Sequence, residues 1–272
     1  MKLLTLNTHS WLEEDQLAKI NYMADFIKEH EFDVIAFQEV NQMKTEPVVP
    51  LKQLGKFVVT DSSMPIRANN YAYLVQQQLK ADYYWTWAPV HTGKLRYDEG
   101  LAFLSRTPIG ETFCEHVSGI TIYNNYKTRK ILGASTTIDG VHTWIVNGHL
   151  GWWHDEEEPF RPQWDRVEAI LRNYTGDAMF LMGDFNNVAE ISGEGYDYMM
   201  SKGWCDLYTA AEIKDAGATV TKSIGGWEGN TQDLRIDYIF SREPRKAKSS
   251  TVVMNGIRGE VVSDHFGVAV EL

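Results

Sequence analysis

This sequence predicts an α/β protein in which two packed β-sheets are flanked by helices. Short strand-like runs recur from one end of the chain to the other, and apolar residues at helical spacings of three and four fall between some of them. No repeat, low-complexity tract or linker divides the 272 residues, so one domain over 1–272 is expected. With 43% hydrophobic and 12% aromatic residues the chain can bury a large core, which excludes a disordered protein.

In chain order the expected strands are Lys2–Leu6, Val34–Phe37, Leu101–Ser105, Ile131–Ile138, Thr143–Asn147, Met179–Met182, Ile236–Phe240 and Phe266–Val270. Each is short, rich in β-branched or aromatic residues, and bounded by polar or glycine-containing stretches. Leu17, Ile20, Ala24 and Ile27 recur on one face of a helix, and Trp164, Val167, Ile170 and Leu171 do the same after Pro162, a good helix starter. A weaker helix over Tyr196–Lys202 is ended by Gly203. The stretch from Asn41 to Ala72 is polar and irregular, and a short helix over Tyr71–Leu79 follows it.

Composition narrows the function classes. Lys plus Arg total 26 against 37 Asp plus Glu, a net charge of −11, and the densest basic run is only Arg242–Lys248. A protein that holds duplex DNA ordinarily carries a basic stripe, so the balance disfavours nucleic acid without excluding it, because a bound metal reverses the local sign. No apolar run approaches the ~20 residues that span a bilayer, and the apolar start Met1–Leu6 is too short for a signal-peptide core. A cytoplasmic protein with no membrane partner is expected. Cys114 and Cys205 are too few for a disulfide scaffold and read as small buried hydrophobes.

One pattern recurs at the strand ends: an apolar run stops at one or two residues able to bind metal or phosphate. Leu3–Leu6 ends at Asn7, and Val34–Phe37 at Gln38 and Glu39. Asp98, Glu99 and Gly100 precede Leu101–Ser105, and Thr143–Val146 leads into Asn147, Gly148 and His149. Met179–Met182 leads to Gly183, Asp184, Phe185 and Asn186, where the glycine permits a tight turn, Asp184 is a base or ligand, and the Asn186 amide is a donor to a phosphoryl oxygen. Asp237 interrupts the strand-like Arg235–Phe240, a costly place for an unpartnered carboxylate. Ser263, Asp264 and His265 open the last strand, and a histidine paired with an acid is held as an imidazolium that stabilises negative charge. A carboxylate such as Glu39 is the oxygen ligand Mg²⁺ prefers. Taken singly, each motif has a bland explanation as a solvated acid, a structural histidine or an Asx turn; their ordered combination does not.

That ordered set resembles the endonuclease/exonuclease/phosphatase superfamily, which includes pancreatic-type deoxyribonuclease, abasic-site endonucleases, sphingomyelinases and inositol polyphosphate 5-phosphatases. The match runs from Leu3-Thr5-Leu6-Asn7 to Ser263-Asp264-His265, nearly the whole chain. The resemblance implies a four-layer α/β sandwich, two mixed sheets face to face with helices outside and the site at one edge. It implies that Asn7 and Glu39 help hold Mg²⁺ (or Mn²⁺), with Asp264 near the metal. Asp184 would orient or deprotonate the attacking water, Asn186 would position a phosphoryl oxygen, Glu99 would orient His149, and Asp237 would orient His265. The implied reaction is in-line attack of water on phosphorus.

Substrate choice within such a family resides in the loops. Trp152 and Trp153, just after His149, and Trp227, between glycines before the Asp237 motif, offer flat apolar platforms that suit a sugar or a nucleobase. Trp164 reads as core on its helix. Leu6-Asn7-Thr8-His9-Ser10-Trp11 and the Gly-Trp-Trp-His loop resemble the maltose 6′-phosphate phosphatases of that superfamily, which implies a small phosphorylated sugar as substrate. The readings left open are a Mg²⁺-dependent nuclease, a sphingomyelinase-like phosphodiesterase and a non-catalytic binding module. The oligomeric state is not legible.

Overall fold

The computed structural model describes residues 1–80 and 82–272. Its elements run β1 (Lys2–Asn7), α1 (Gln16–His30), β2 (Val34–Met43), α2 (Tyr71–Gln78), β3 (Tyr84–Gly93), β4 (Tyr97–Ser105), β5 (Ile109–His116), β6 (Lys130–Ile138) and β7 (Val141–His149). They continue with α3 (Phe160–Leu171), β8 (Ala178–Asp184), α4 (Gly195–Ser201), β9 (Cys205–Asp206), β10 (Ala211–Lys214), β11 (Asp237–Ser241), β12 (Ala247–Val253) and β13 (Gly267–Glu271). Among the described residues the strands form a seven-stranded sheet, β10-β12-β13-β1-β2-β4-β3, and a six-stranded sheet, β5-β6-β7-β8-β11-β9. Both are mixed: β1 and β2, β7 and β8, and β10 and β12 pair in parallel, and the other pairs are antiparallel.

Strand periodicity sorts the apolar residues into layers. Leu3 on β1, Val34 and Ala36 on β2, Ile145 on β7, Phe180 and Met182 on β8 and Ile239 on β11 share the core between the sheets. Their neighbours point the other way. Leu4, Leu6, Ile35 and Phe37 pack with α1 and α2, whereas Trp144, Val146, Met179, Leu181, Tyr238 and Phe240 pack with α3 and α4. The result is a four-layer α/β sandwich with helices on both outer faces. No described helix is long and apolar enough to cross a membrane.

All eight expected strands and all four expected helices are present, with shifted ends. Val34–Phe37 extends to Met43, and Leu101–Ser105 begins at Tyr97. The sequence reading missed β3, β5, β9, β10 and β12. In β3 the apolar run contains Pro89, and a proline disqualifies a central strand but not an edge. Here β3 is the sheet edge, and its pairing shifts register between Pro89 and His91.

Gly183 and Gly148 sit opposite each other on β8 and β7. Gly183 has φ 144°, and a Cβ placed there would lie 1.9 Å from the Gly148 carbonyl oxygen. Only glycine lets the two backbones approach so closely beside Asp184. Gly183→Ala should therefore destabilise the fold by about 2 kcal/mol or more, a fall in Tm of roughly 5 °C. Thermal unfolding checks this, and an unchanged Tm would refute the close-approach argument.

Candidate active site

The inward-facing parity that builds the central core continues past the apolar residues and turns polar at one edge of the sandwich. On β1 it runs Leu3, Thr5, Asn7; on β2 Ala36, Gln38; on β7 Ile145, Asn147, His149; on β8 Phe180, Met182, Asp184; and on β11 it runs back from Ile239 to Asp237. Glu39 gets there differently. From Phe37 to Val40 β2 takes three steps while its partner β4 takes two, from Ala102 to Gly100, so β2 carries one extra residue in a bulge. Glu39 lies in that bulge with φ 51°, which re-aims its side chain into the site.

Asn7 joins the sheets: its Nδ2 donates to Glu39 Oε1 at 3.0 Å and to Asp184 Oδ2 at 3.0 Å. His265 Nδ1 meets Asp237 Oδ2 at 3.0 Å, and its Nε2 lies 3.7 Å from Asp184 Oδ2. His149 Nε2 approaches the same oxygen at 3.5 Å. The Asn186 backbone N–H donates to Asp184 Oδ1 at 2.9 Å, so this carboxylate is held from several sides.

Burial and charge divide the two histidines. Burial opposes the imidazolium of His265, but Asp237 and Asp184 overcome it and push its pKa up to about 10. His149 is driven well below the usual histidine range by burial and by the Arg129 guanidinium, so it is neutral at pH 7. Burial, aided by the charge of Asp237, raises Asp184 to about 7. A base poised near neutrality, a fixed cation and an amide donor thus face one point.

His149, Asp184, Asn186 and His265 line a cleft of about 680 Å³ together with Glu39, Glu99, Asp264, Trp152, His9, His91 and Arg129, while Asp237 stands behind His265. Three expectations need correction. Glu99 pairs with His91, Oε1 to Nε2 at 3.2 Å, and makes no contact of this kind with His149, because cross-strand register puts His91 of β3 opposite Glu99 of β4. Trp153 does not line the cleft; it packs outward on Phe160 and Tyr198, since adjacent loop residues present opposite sides. Trp227 does not line it either: its ring packs against Val188, Val220, Ile224, Leu234 and Ile236, and its Nε1 donates to Asn186 Oδ1 at 3.0 Å. Trp152 lines the cleft.

The sequence reading missed four residues. His91 lies on the unforeseen strand β3. His9 and Glu13 bond at 2.7 Å, with His9 Nδ1 3.6 Å from Asp264. Arg129 precedes β6; it is 4% exposed, its guanidinium stacks over Trp152 at 5.7 Å, and it makes no hydrogen bond or ion pair through that group with a described residue. Nothing local marks Arg129, but a guanidinium in a cleft without a protein partner is a ready anion anchor.

A buried acid–imidazole–amide cluster thus sits at the edge of a double-sheet sandwich. The family model for the endonuclease/exonuclease/phosphatase family matches residues 12–265, and the chain belongs to that family. A solved family member from Leptotrichia buccalis C-1013-b is 34% identical, with a TM-score of 0.86 over 100% of this chain and 98% of its own. Two further structures share the fold at 19% identity. A mannosyl-6-phosphatase from Bacteroides thetaiotaomicron VPI-5482 has a TM-score of 0.66 (100% and 98% covered), and truncated Caenorhabditis elegans TDP2 has 0.62 (99% and 95% covered). No curated protein sequence matches. The protein is thus a phosphoester hydrolase by family.

Enzymes of this family depend on a divalent metal, carboxylate oxygens suit a hard cation, and Asp184, Asp237 and His265 form one buried group whose ligand atoms lie within 4.8 Å of one another. Burial raises the pKa of Glu39, and the charges of Glu99 and Asp264 add to it, so negative charge converges at this end of the cleft. Asn7, whose Oδ1 accepts from the His9 N–H at 3.2 Å, would hold the cation together with Glu39 and Asp264. His9, Glu13 and Asp264 form a second convergent group, but Lys19 already holds Glu13 at 2.6 Å.

The His265–Asp237 pair makes a checkable pH statement. Because the folded pKa is raised, the pair contributes its stability fully below about 6.5, the unfolded value, and loses it as pH rises through about 10. In chelator-treated protein the His265 ring should titrate near 10 by NMR, and in Asp237→Asn well below that. A wild-type ring titrating near 6.5 would overturn the electrostatic assignment.

Proposed function

We propose that the protein is a metal-dependent phosphomonoesterase that releases phosphate from a small phosphorylated sugar. The observation that carries this reading is the pairing of one unpartnered guanidinium, Arg129, with one indole face, Trp152, in a cleft whose other charged lining is mostly acidic. A single terminal phosphate would bind Arg129 while an apolar sugar face rests on the indole. The net charge of −11 supports a small substrate over a long polyanion. The fold shared with a mannosyl-6-phosphatase is compatible with the same class.

In this reading Asp184 orients the attacking water and accepts its proton, as its pKa near 7 suits. The His265 imidazolium, held by Asp237, and the Asn186 amide bind phosphoryl oxygens as charge develops on them. Neutral His149 adds a hydrogen bond at the same oxygens. Mg²⁺ or Mn²⁺ held by Asn7, Glu39 and Asp264 would supply Lewis-acid neutralisation of charge.

A hydrolysis screen of phosphorylated sugars, nucleotides and nucleic acids with Mg²⁺ tests the reading. Phosphate release from a sugar phosphate should dominate, vanish with chelator and return with Mg²⁺ or Mn²⁺. Asp184→Asn should abolish it, and Arg129→Ala should lower kcat/KM on the order of 10- to 100-fold. Faster cleavage of DNA or RNA than of any sugar phosphate would establish a nuclease instead.

A further inference from the structure

We propose that Trp227 is a positioning residue that holds the Asn186 amide with one Nδ2 hydrogen free toward the phosphoryl group. The indole Nε1 donates to Asn186 Oδ1 at 3.0 Å, and Asn186 Nδ2 donates to the Leu150 carbonyl at 3.0 Å. An indole N–H is a donor with no acceptor capacity, and a carbonyl oxygen is an acceptor with no hydrogen. Together they distinguish the two ends of the amide. A flipped amide would set N–H against N–H and oxygen against oxygen, and both contacts would be repulsive. An amide nitrogen carries two hydrogens, and Leu150 takes one. The other belongs to the cleft, which Asn186 lines.

The backbone is fixed as well. Asn186 has φ 49°, and its own N–H is committed to Asp184 Oδ1, so the amide projects from the same turn that carries the carboxylate. Trp227 is seated independently of any ligand: its ring packs on Val188, Val220, Ile224, Leu234 and Ile236, and its backbone N–H donates to the Ile224 carbonyl at 3.0 Å. Gly226 beside it has φ 80° and lies so close to Trp152 that a Cβ would fall 2.2 Å from the ring. One loop therefore abuts Trp152 and orients the Asn186 donor. A donor held in place before the substrate arrives stabilises developing charge without reorganising.

The inference rests on the reading of this cleft as a phosphoester site. Its test is a double-mutant cycle on p-nitrophenyl phosphate with Mg²⁺. Trp227→Phe keeps an aromatic ring in the apolar seat and removes the donor. It should lower kcat by about tenfold to a hundredfold with KM within about twofold. Asn186→Ala should lower kcat at least as far, and in that background Trp227→Phe should cost less than about twofold, because residues that act through one another are not additive. A readout free of turnover accompanies it: the Trp227 indole N–H resonance should shift and lose protection from hydrogen exchange in Asn186→Ala. Wild-type kcat in Trp227→Phe, losses that multiply in the double variant, or an indole resonance unmoved by Asn186→Ala would each overturn the proposal. If the wild type hydrolyses neither p-nitrophenyl phosphate nor any sugar phosphate, the phosphomonoesterase reading fails, and the indole resonance still decides the role of Trp227.

Discussion

A single amide, that of Asn7, donates one hydrogen to a carboxylate from each sheet, Glu39 on β2 and Asp184 on β8. Two acids facing each other across a sandwich repel, and the amide turns that repulsion into a shared tether. Below it a second tether crosses the core: Gln38 Nε2 donates to Asn147 Oδ1 at 2.7 Å, and Asn147 Nδ2 donates to the carbonyls of Phe37 and Ala102 at 2.8 and 3.0 Å. Buried polar groups are costly unless satisfied, and satisfied networks specify one arrangement. These two tethers join the sheets at the polar edge of the sandwich, beside the cleft.

With the edge fixed, position decides chemistry for residues of the same type. His149 and His265 both approach Asp184, yet one is neutral and the other cationic. The difference lies in what stands behind each ring: Asp237 behind His265, and the Arg129 cation beside His149. Asp184 and Asp237 differ in their partners: Asp237 bonds the His265 ring, while Asp184, buried beside that charge, is raised to about 7. Environments that push like groups apart are what hydrolytic acid–base work requires.

Much of this was legible from strand parity. Leu3-Thr5-Asn7 and Phe180-Met182-Asp184 alternate without interruption from core to cleft, so a polar residue ending an apolar strand could be read as a site residue. Glu39 was named on the same pattern but reaches the cleft through a bulge, which nothing in Val34–Met43 announces. The Glu99–His91 pair was hidden because Pro89 masked β3, and the expected Glu99–His149 pair was the consequence. Among the loop tryptophans, sequence showed only that they flank motifs. Which way each ring turns depends on packing against α3, α4 and the 222–231 loop, so Trp152 faces the cleft, Trp153 the outer layer and Trp227 the Asn186 amide.

By itself the sequence determined the layered α/β architecture, the order of the motifs and the identities of the acids, amides and histidines at the strand ends. These follow from local alternation and from where apolar runs stop, which are properties of neighbours in the chain. Tertiary structure alone decided the partners. The pairing of Glu99 with His91, the placing of Arg129 over Trp152 and the clamp of Trp227 on Asn186 join residues brought together by cross-strand register and loop packing. Such contacts are set by the closure of two sheets over one core, and no single segment carries them.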